Sequence, residues 1–175
     1  MKINYLKKLS ILILITFSLG LVSCEDDDTL PESFNASFLV NDTEFNAIGE
    51  FLSIPSGFDD LHVTSFEFTD KLNITESTFL IGISRYDSQP WEPSTGLYSM
   101  RNSYLAGGET GRFGAGVTWW DENRQATIYS ELDRGFIRIR EVTDTRISGD
   151  FEFTLTAPET GAELRVVEGR FNLPR

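Results

Sequence analysis

The chemistry open to this chain is bounded by its rarest reactive residues. Of 175 residues, one is cysteine and one is histidine. A single thiol forms no intrachain disulfide, and a single imidazole builds no His-cluster metal site, so a nucleophilic triad would have to pass through His62. Ser65 follows His62 at i+3, but on a strand such residues face opposite sides, so the two do not form a local Ser-His pair. The 27 Asp and Glu residues are numerous enough for two to approach at glycosidase spacing, roughly 5 to 9.5 Å. Abundance on a small surface is not a catalytic signal. Asp26 to Asp28 and the pair Asp59-Asp60 lack the alternating acids and central glycine of a calcium loop, and they read as solvated charge. No catalytic residue, metal ligand or cofactor is assigned. The tryptophans carry the binding candidates. Trp91 lies between Pro90 and Pro93 with Tyr98 and Tyr104 nearby, and Trp119 and Trp120 are adjacent on a strand-like run, so one ring must face the core and the other the opposite side. Such rings can stack on sugar faces or anchor a protein partner.

The one cysteine has a specific setting. Lys2, Lys7 and Lys8 precede an uncharged apolar run from Ile11 to Val22, twelve residues long, which is too short to span hydrocarbon as a helix and fits the core of a secretory signal. The run ends in Leu21-Val22-Ser23-Cys24, which resembles a bacterial lipobox. The resemblance implies cleavage before Cys24 and acylation of its sulfur and new amine. At roughly 0.8 kcal/mol per buried methylene, two or three acyl chains hold a protein at a membrane without a transmembrane helix. Glu25, Asp26, Asp27 and Asp28 follow at once, similar to the acidic export signal of Bacteroidota lipoproteins, and this implies an outer-membrane protein displayed to the exterior, whereas in other Gram-negative groups an acidic residue in that place can signal retention at the inner membrane. Asp28-Thr29-Leu30 matches a short bacterial O-glycosylation pattern, which makes Thr29 a candidate acceptor. The same acidic residues also make an extended, solvated tether.

The expected organisation is a signal peptide over 1-23, a lipidated Cys and tether over 24-32, and one β domain over 33-175. Cleavage would remove three lysines and no acid, leaving 27 acidic against 12 basic side chains. The resulting net charge of about −15 disfavours nucleic acid and anionic lipid head groups as partners. The membrane, through the anchor, and a glycan or envelope protein remain as partners.

Periodicity in the β domain is that of strands. Phe34, Ala36, Phe38 and Val40 alternate with Asn35, Ser37 and Leu39, then Asn41-Asp42-Thr43 supplies turn chemistry before Phe45 and Ala47, so 33-48 reads as a hairpin. Runs at 61-69, 77-85, 96-101, 116-120 and 125-130 follow, separated by Gly, Pro, Asp and Asn. In a second hairpin Ile137 and Ile139 should face Phe151, Phe153 and Leu155 inside, while Arg138 and Arg140 meet Asp150 and Glu152 outside. The last segment changes phase between Val166 and Phe171, which predicts a bulge near Gly169, with glycine taking the positive φ. Eight to ten short antiparallel strands and no helix imply an all-β domain, either a sandwich or a flattened barrel.

Ile147-Ser148-Gly149-Asp150-Phe151-Glu152-Phe153-Thr154, Glu159-Thr160-Gly161 and Val167-Glu168-Gly169-Arg170-Phe171 resemble the closing strands of a family of small Bacteroidota lipoproteins. The opening hairpin, where that family usually has Gly at the position of Asp42, and Gly96-Leu97-Tyr98 are similar to it as well. The resemblance implies architecture and location and brings no activity with it. The expected function is therefore a noncatalytic binding or envelope-associated module on the cell surface, and the alternative is an extracellular hydrolase of glycans or peptides.

Overall fold

The computed structural model describes residues 34–55, 61–103 and 110–175. Cys24, Glu25, Asp26, Asp27, Asp28, Thr29, Asp59, Asp60 and Tyr104 lie outside the described residues. The described residues form ten strands: β1 (Ala36–Val40), β2 (Thr43–Pro55), β3 (His62–Thr69), β4 (Phe79–Asp87), β5 (Gly96–Ser103), β6 (Phe113–Trp120), β7 (Ala126–Tyr129), β8 (Glu131–Val142), β9 (Arg146–Thr156) and β10 (Glu163–Pro174). The sheet runs β4-β3-β2-β1-β10-β9-β8-β5-β6-β7, and β4 also pairs with β6, which closes nine strands into a barrel and leaves β7 as an extra. Of the two all-β architectures open to the sequence, this is the barrel. Closure leaves few edges for unwanted pairing.

Alternation puts the large apolar groups inside. Phe38, Phe66, Phe68, Phe79, Phe113, Phe151, Phe153, Ile81, Ile83, Ile137, Ile139 and Ile147 are fully buried. The rings of Phe38, Phe68, Phe153 and Phe171 surround that of Phe151 at centroid distances of 5.0 to 6.3 Å. Aromatic contacts of this kind add roughly 0.5–1.5 kcal/mol each beyond the area they bury. The centre of the barrel is thus packed with side chains, and any ligand must use its rims or its outer wall.

The opening hairpin turns on Asn41 (φ 47) and Asp42 (φ 67), two successive left-handed residues as a two-residue turn of the I′ type requires. In the closing hairpin Ile137 lies opposite Phe151 and Arg138 opposite Asp150. A bulge between Ile139 and Glu141 brings Arg140 to the same carboxylate, so Asp150 pairs with Arg138 at 3.5 Å and with Arg140. The bulge in β10 is present between Val166 and Gly169, but its left-handed residue is Glu168 (φ 54). Gly169 serves proximity instead. A Cβ there would lie 2.6 Å from Cε2 and 2.7 Å from the carbonyl oxygen of Phe151.

One pairing departs from the antiparallel pattern. β5 and β6 run parallel, with Met100 opposite Phe113 and Ser103 opposite Ala115. β5 occupies only part of that side of β6, and β7 pairs with the remainder, from Val117 to Trp120. β7 and β8 are separated by Ser130 alone, whose N–H donates to the Thr156 carbonyl at 3.2 Å. The chain thereby passes from β6 to its place between β5 and β9, sealing the wall.

Candidate functional site

The three tryptophans singled out in the sequence occupy different places. Strand direction puts Trp91 at the rim where β4 ends, whereas Trp119 and Trp120 finish β6 at the opposite rim.

At the first rim β6 begins only at Phe113, opposite Met100, so Gly96–Ser99 of β5 have no β6 residue beside them. Trp91, in the β4–β5 connection, packs at this end of the two strands. Its ring meets Tyr98 edge-on at 5.5 Å and Phe113 edge-on at 5.2 Å. The Arg85 guanidinium stands 5.3 Å from its centroid and is clamped by Asp87 through two hydrogen bonds, Nε to Oδ2 at 2.6 Å and Nη2 to Oδ1 at 2.9 Å. Both side chains of that pair are 18% exposed. Tyr98 is itself tied down, its hydroxyl donating to the Ser94 carbonyl at 2.9 Å. Arg175 Nη2 donates to Glu92 Oε2 at 2.7 Å and fastens the end of the chain to the same loop. Packed against Tyr98, Phe113 and Arg85, Trp91 is half-buried and partly plugs this rim.

The second rim is built differently. Trp119 faces inward, stacked on Phe79 at 5.6 Å and edge-on to Phe45 at 5.4 Å. Phe45, Trp119, Tyr129, Val40 and Leu164 line an open depression of about 260 Å³, with Asn41 and Thr43 at its lip. Val40 and Leu164 form a buried apolar base, while the three aromatic rings are half-buried. Among the described residues neither the Trp119 indole N–H nor the Tyr129 hydroxyl has a hydrogen-bond partner. Asn41 is held in place because its Oδ1 accepts from the Arg165 backbone N–H at 3.0 Å. The mouth thus combines apolar ring faces with an unclaimed N–H donor and a hydroxyl, the pattern of a small-ligand site at the end of a β-barrel. Its volume is below the roughly 300 to 1,000 Å³ usual for drug-sized ligands, so it suits one ring.

Trp120 points the other way, outside the wall. Arg124 lies 5.0 Å from its ring centroid and donates through Nη1 to the Ser77 carbonyl, while the Trp120 backbone N–H donates to Thr78 O at 2.9 Å. The opposed directions of Trp119 and Trp120 follow from strand alternation. Their partners follow only in part: Tyr129 comes from β7, which pairs with β6 as the next strand in sequence, whereas Phe45 reaches the same mouth from β2 only because the barrel closes. Inward alternation at strand ends is the sequence signal that could have marked them.

His62 stands opposite Asp87 and Pro55 in the ladder. Ser65 instead donates to Glu67 Oε1 at 3.1 Å. Among the described residues no group of three or more His, Cys, Asp or Glu side chains gathers as a metal site. No family model, curated protein or solved structure matches this chain, and the chemistry of the mouth is therefore read from its own geometry.

Proposed function

We propose that the protein is a lipid-anchored module of the bacterial outer surface that binds, without catalysis, one sugar ring of a glycan in the mouth formed by Trp119, Phe45 and Tyr129. The observation that carries the reading is the pairing, in one ring-sized depression, of apolar aromatic faces with the unpartnered Trp119 N–H and Tyr129 hydroxyl. A pyranose offers the matching surface, since its C–H face packs on a ring while its hydroxyls accept and donate at the edge. The outer wall also supports anchoring by acyl chains rather than by strands. Arg138, Arg140, Asp150 and Glu152 face outward around a phenylalanine-filled interior, the inverse of a membrane-spanning barrel with an apolar outer band and polar lumen.

Binding is tested by NMR titration with the methyl glycosides of glucose, galactose, mannose and N-acetylglucosamine. At least one should bind, and Trp119→Ala should weaken it about thirtyfold, the loss of about 2 kcal/mol typical of an aromatic anchor. Because Trp119 also packs on Phe79, Trp119→Phe is the companion variant. It keeps a ring and removes the N–H, and it should bind several-fold more weakly in a fully folded protein. Equal affinity in wild type and both variants, or no binding of any glycoside, would refute the reading. The anchor is tested separately by intact mass of protein from its native membrane: it should begin at acylated Cys24, and a bare thiol or a retained leader would refute the placement.

A further inference from the structure

A second concavity, about 560 Å³, lies on the outer wall across β5, β8, β9 and β10. Register places Arg134 of β8 directly opposite Thr154 of β9, and Thr154 directly opposite Arg165 of β10. The two arginine Cα atoms are then about 10 Å apart at the usual strand spacing, close enough for both guanidinium groups to converge over the threonine. Thr154 is 5% exposed, and its hydroxyl has no hydrogen-bond partner among the described residues. Arg165 makes no ion pair among them, and Arg134 reaches only its neighbour Asp133, at 3.9 Å with both side chains largely exposed. Beside this row lie Phe136, Val167 and Leu97, the last 60% exposed.

We infer that Arg134, Thr154 and Arg165 form an oxyanion-binding cradle, distinct from the Trp119 mouth, for a ligand that carries one phosphate or carboxylate on an apolar body. The two guanidinium groups and the hydroxyl supply convergent donors to the oxyanion. Phe136, Val167 and Leu97 then cover the body. Glu152, opposite Phe136 and lining the same concavity, opposes a second anionic group and limits the ligand to one. Arg138 stands 5.7 Å from the Phe136 ring and is paired with Asp150, so it borders the cradle with its charge already matched. The overall negative charge of the chain repels an anion at long range, so selectivity must come from these contacts.

The test is calorimetric titration of the whole protein with hexyl phosphate, inorganic phosphate and 1-hexanol, with cosedimentation on phosphatidylglycerol vesicles to distinguish a lipid head group from a soluble anion. Hexyl phosphate should bind at least about tenfold more tightly than either fragment. Arg134→Gln combined with Arg165→Gln should weaken it about 10- to 100-fold, as loss of charge-assisted hydrogen bonds implies. Both arginines are exposed, so circular dichroism should show an unchanged fold, and Trp119→Ala should leave this binding intact. Vesicle binding lost in the double variant would identify a lipid source. Hexyl phosphate binding without vesicle binding would identify a soluble one. Unchanged affinity in the double variant, 1-hexanol binding as tightly as hexyl phosphate, or no binding of hexyl phosphate at millimolar concentration would overturn the cradle.

Discussion

Gly149→Ala is expected to lower the unfolding free energy by about 3 kcal/mol or more, the upper range for overpacking a closed core. A Cβ at this position would lie 2.0 Å from the Arg138 carbonyl oxygen and 2.7 Å from Phe171 Cζ. The ring could rotate aside. The carbonyl belongs to β8, next to the bulge at Arg140, and moving it means breaking the β8–β9 ladder that holds Ile137 against Phe151. With a total stability of about 5–15 kcal/mol for a domain of this kind, such a loss should appear as a large drop in the urea midpoint. A midpoint within experimental error of wild type would mean that β8 and β9 do not approach as described. Gly161→Ala is the control: its φ of +69 carries some backbone cost, but no atom lies within 4 Å of the added carbon, so the loss should be about 1 kcal/mol.

Phe151→Ala should cost about 3–5 kcal/mol, the usual range for emptying a buried phenylalanine site. Phe151 is completely buried and its ring contacts that of Phe153 on its own strand and those of Phe38, Phe68 and Phe171 from β1, β3 and β10. The same variant also makes a finer prediction. Gly169→Ala is blocked mainly by the Phe151 ring, at 2.6 and 2.7 Å, although the Phe151 carbonyl is also 2.7 Å away. In the double variant the new methyl group enters the space left by the ring, so the two losses should sum to about 1 kcal/mol more than the double variant shows. Gly149→Ala should gain no comparable relief, because its obstacle is backbone. Urea denaturation of the four proteins in the cycle measures the coupling, and strict additivity would contradict the packing of Phe151 over Gly169.

The features that local chemistry determines were legible in the sequence. Alternation of Ile137 and Ile139 with Arg138 and Arg140 specified which side of the wall each would take, and the observed ladder keeps that division. Asn41-Asp42 marked a tight hairpin because these residues tolerate left-handed backbone, and both adopt it. The opposed faces of Trp119 and Trp120 followed from the two-residue period alone. Features set by closure were not legible. The parallel β5–β6 pairing depends on where the barrel seam falls, and nothing within Gly96–Ser103 or Phe113–Trp120 encodes strand direction. Glu168 takes the left-handed turn of the bulge, and Gly169 is needed instead because Phe151 crowds it from across the ladder, a contact between residues 18 apart in sequence. The mouth around Trp119 is partly of the same kind, since Phe45 joins it from β2, which the sequence does not mark as a neighbour of β6, while Tyr129 comes from the adjacent β7. So is the row Arg134, Thr154 and Arg165, which exists only in the register of three strands.

The binding reading can be examined at each tryptophan in one experiment. Uniformly ¹⁵N-labelled protein gives one indole N–H resonance for each of Trp91, Trp119 and Trp120, and these three report on the plugged rim, the open mouth and the outer wall. When a methyl glycoside that binds is added, the Trp119 resonance should shift in a saturable way while those of Trp91 and Trp120 stay in place. A shift at Trp91 or Trp120 with Trp119 unmoved would contradict the mouth as the binding site, and three unmoved resonances across the whole glycoside panel would contradict sugar binding by this barrel.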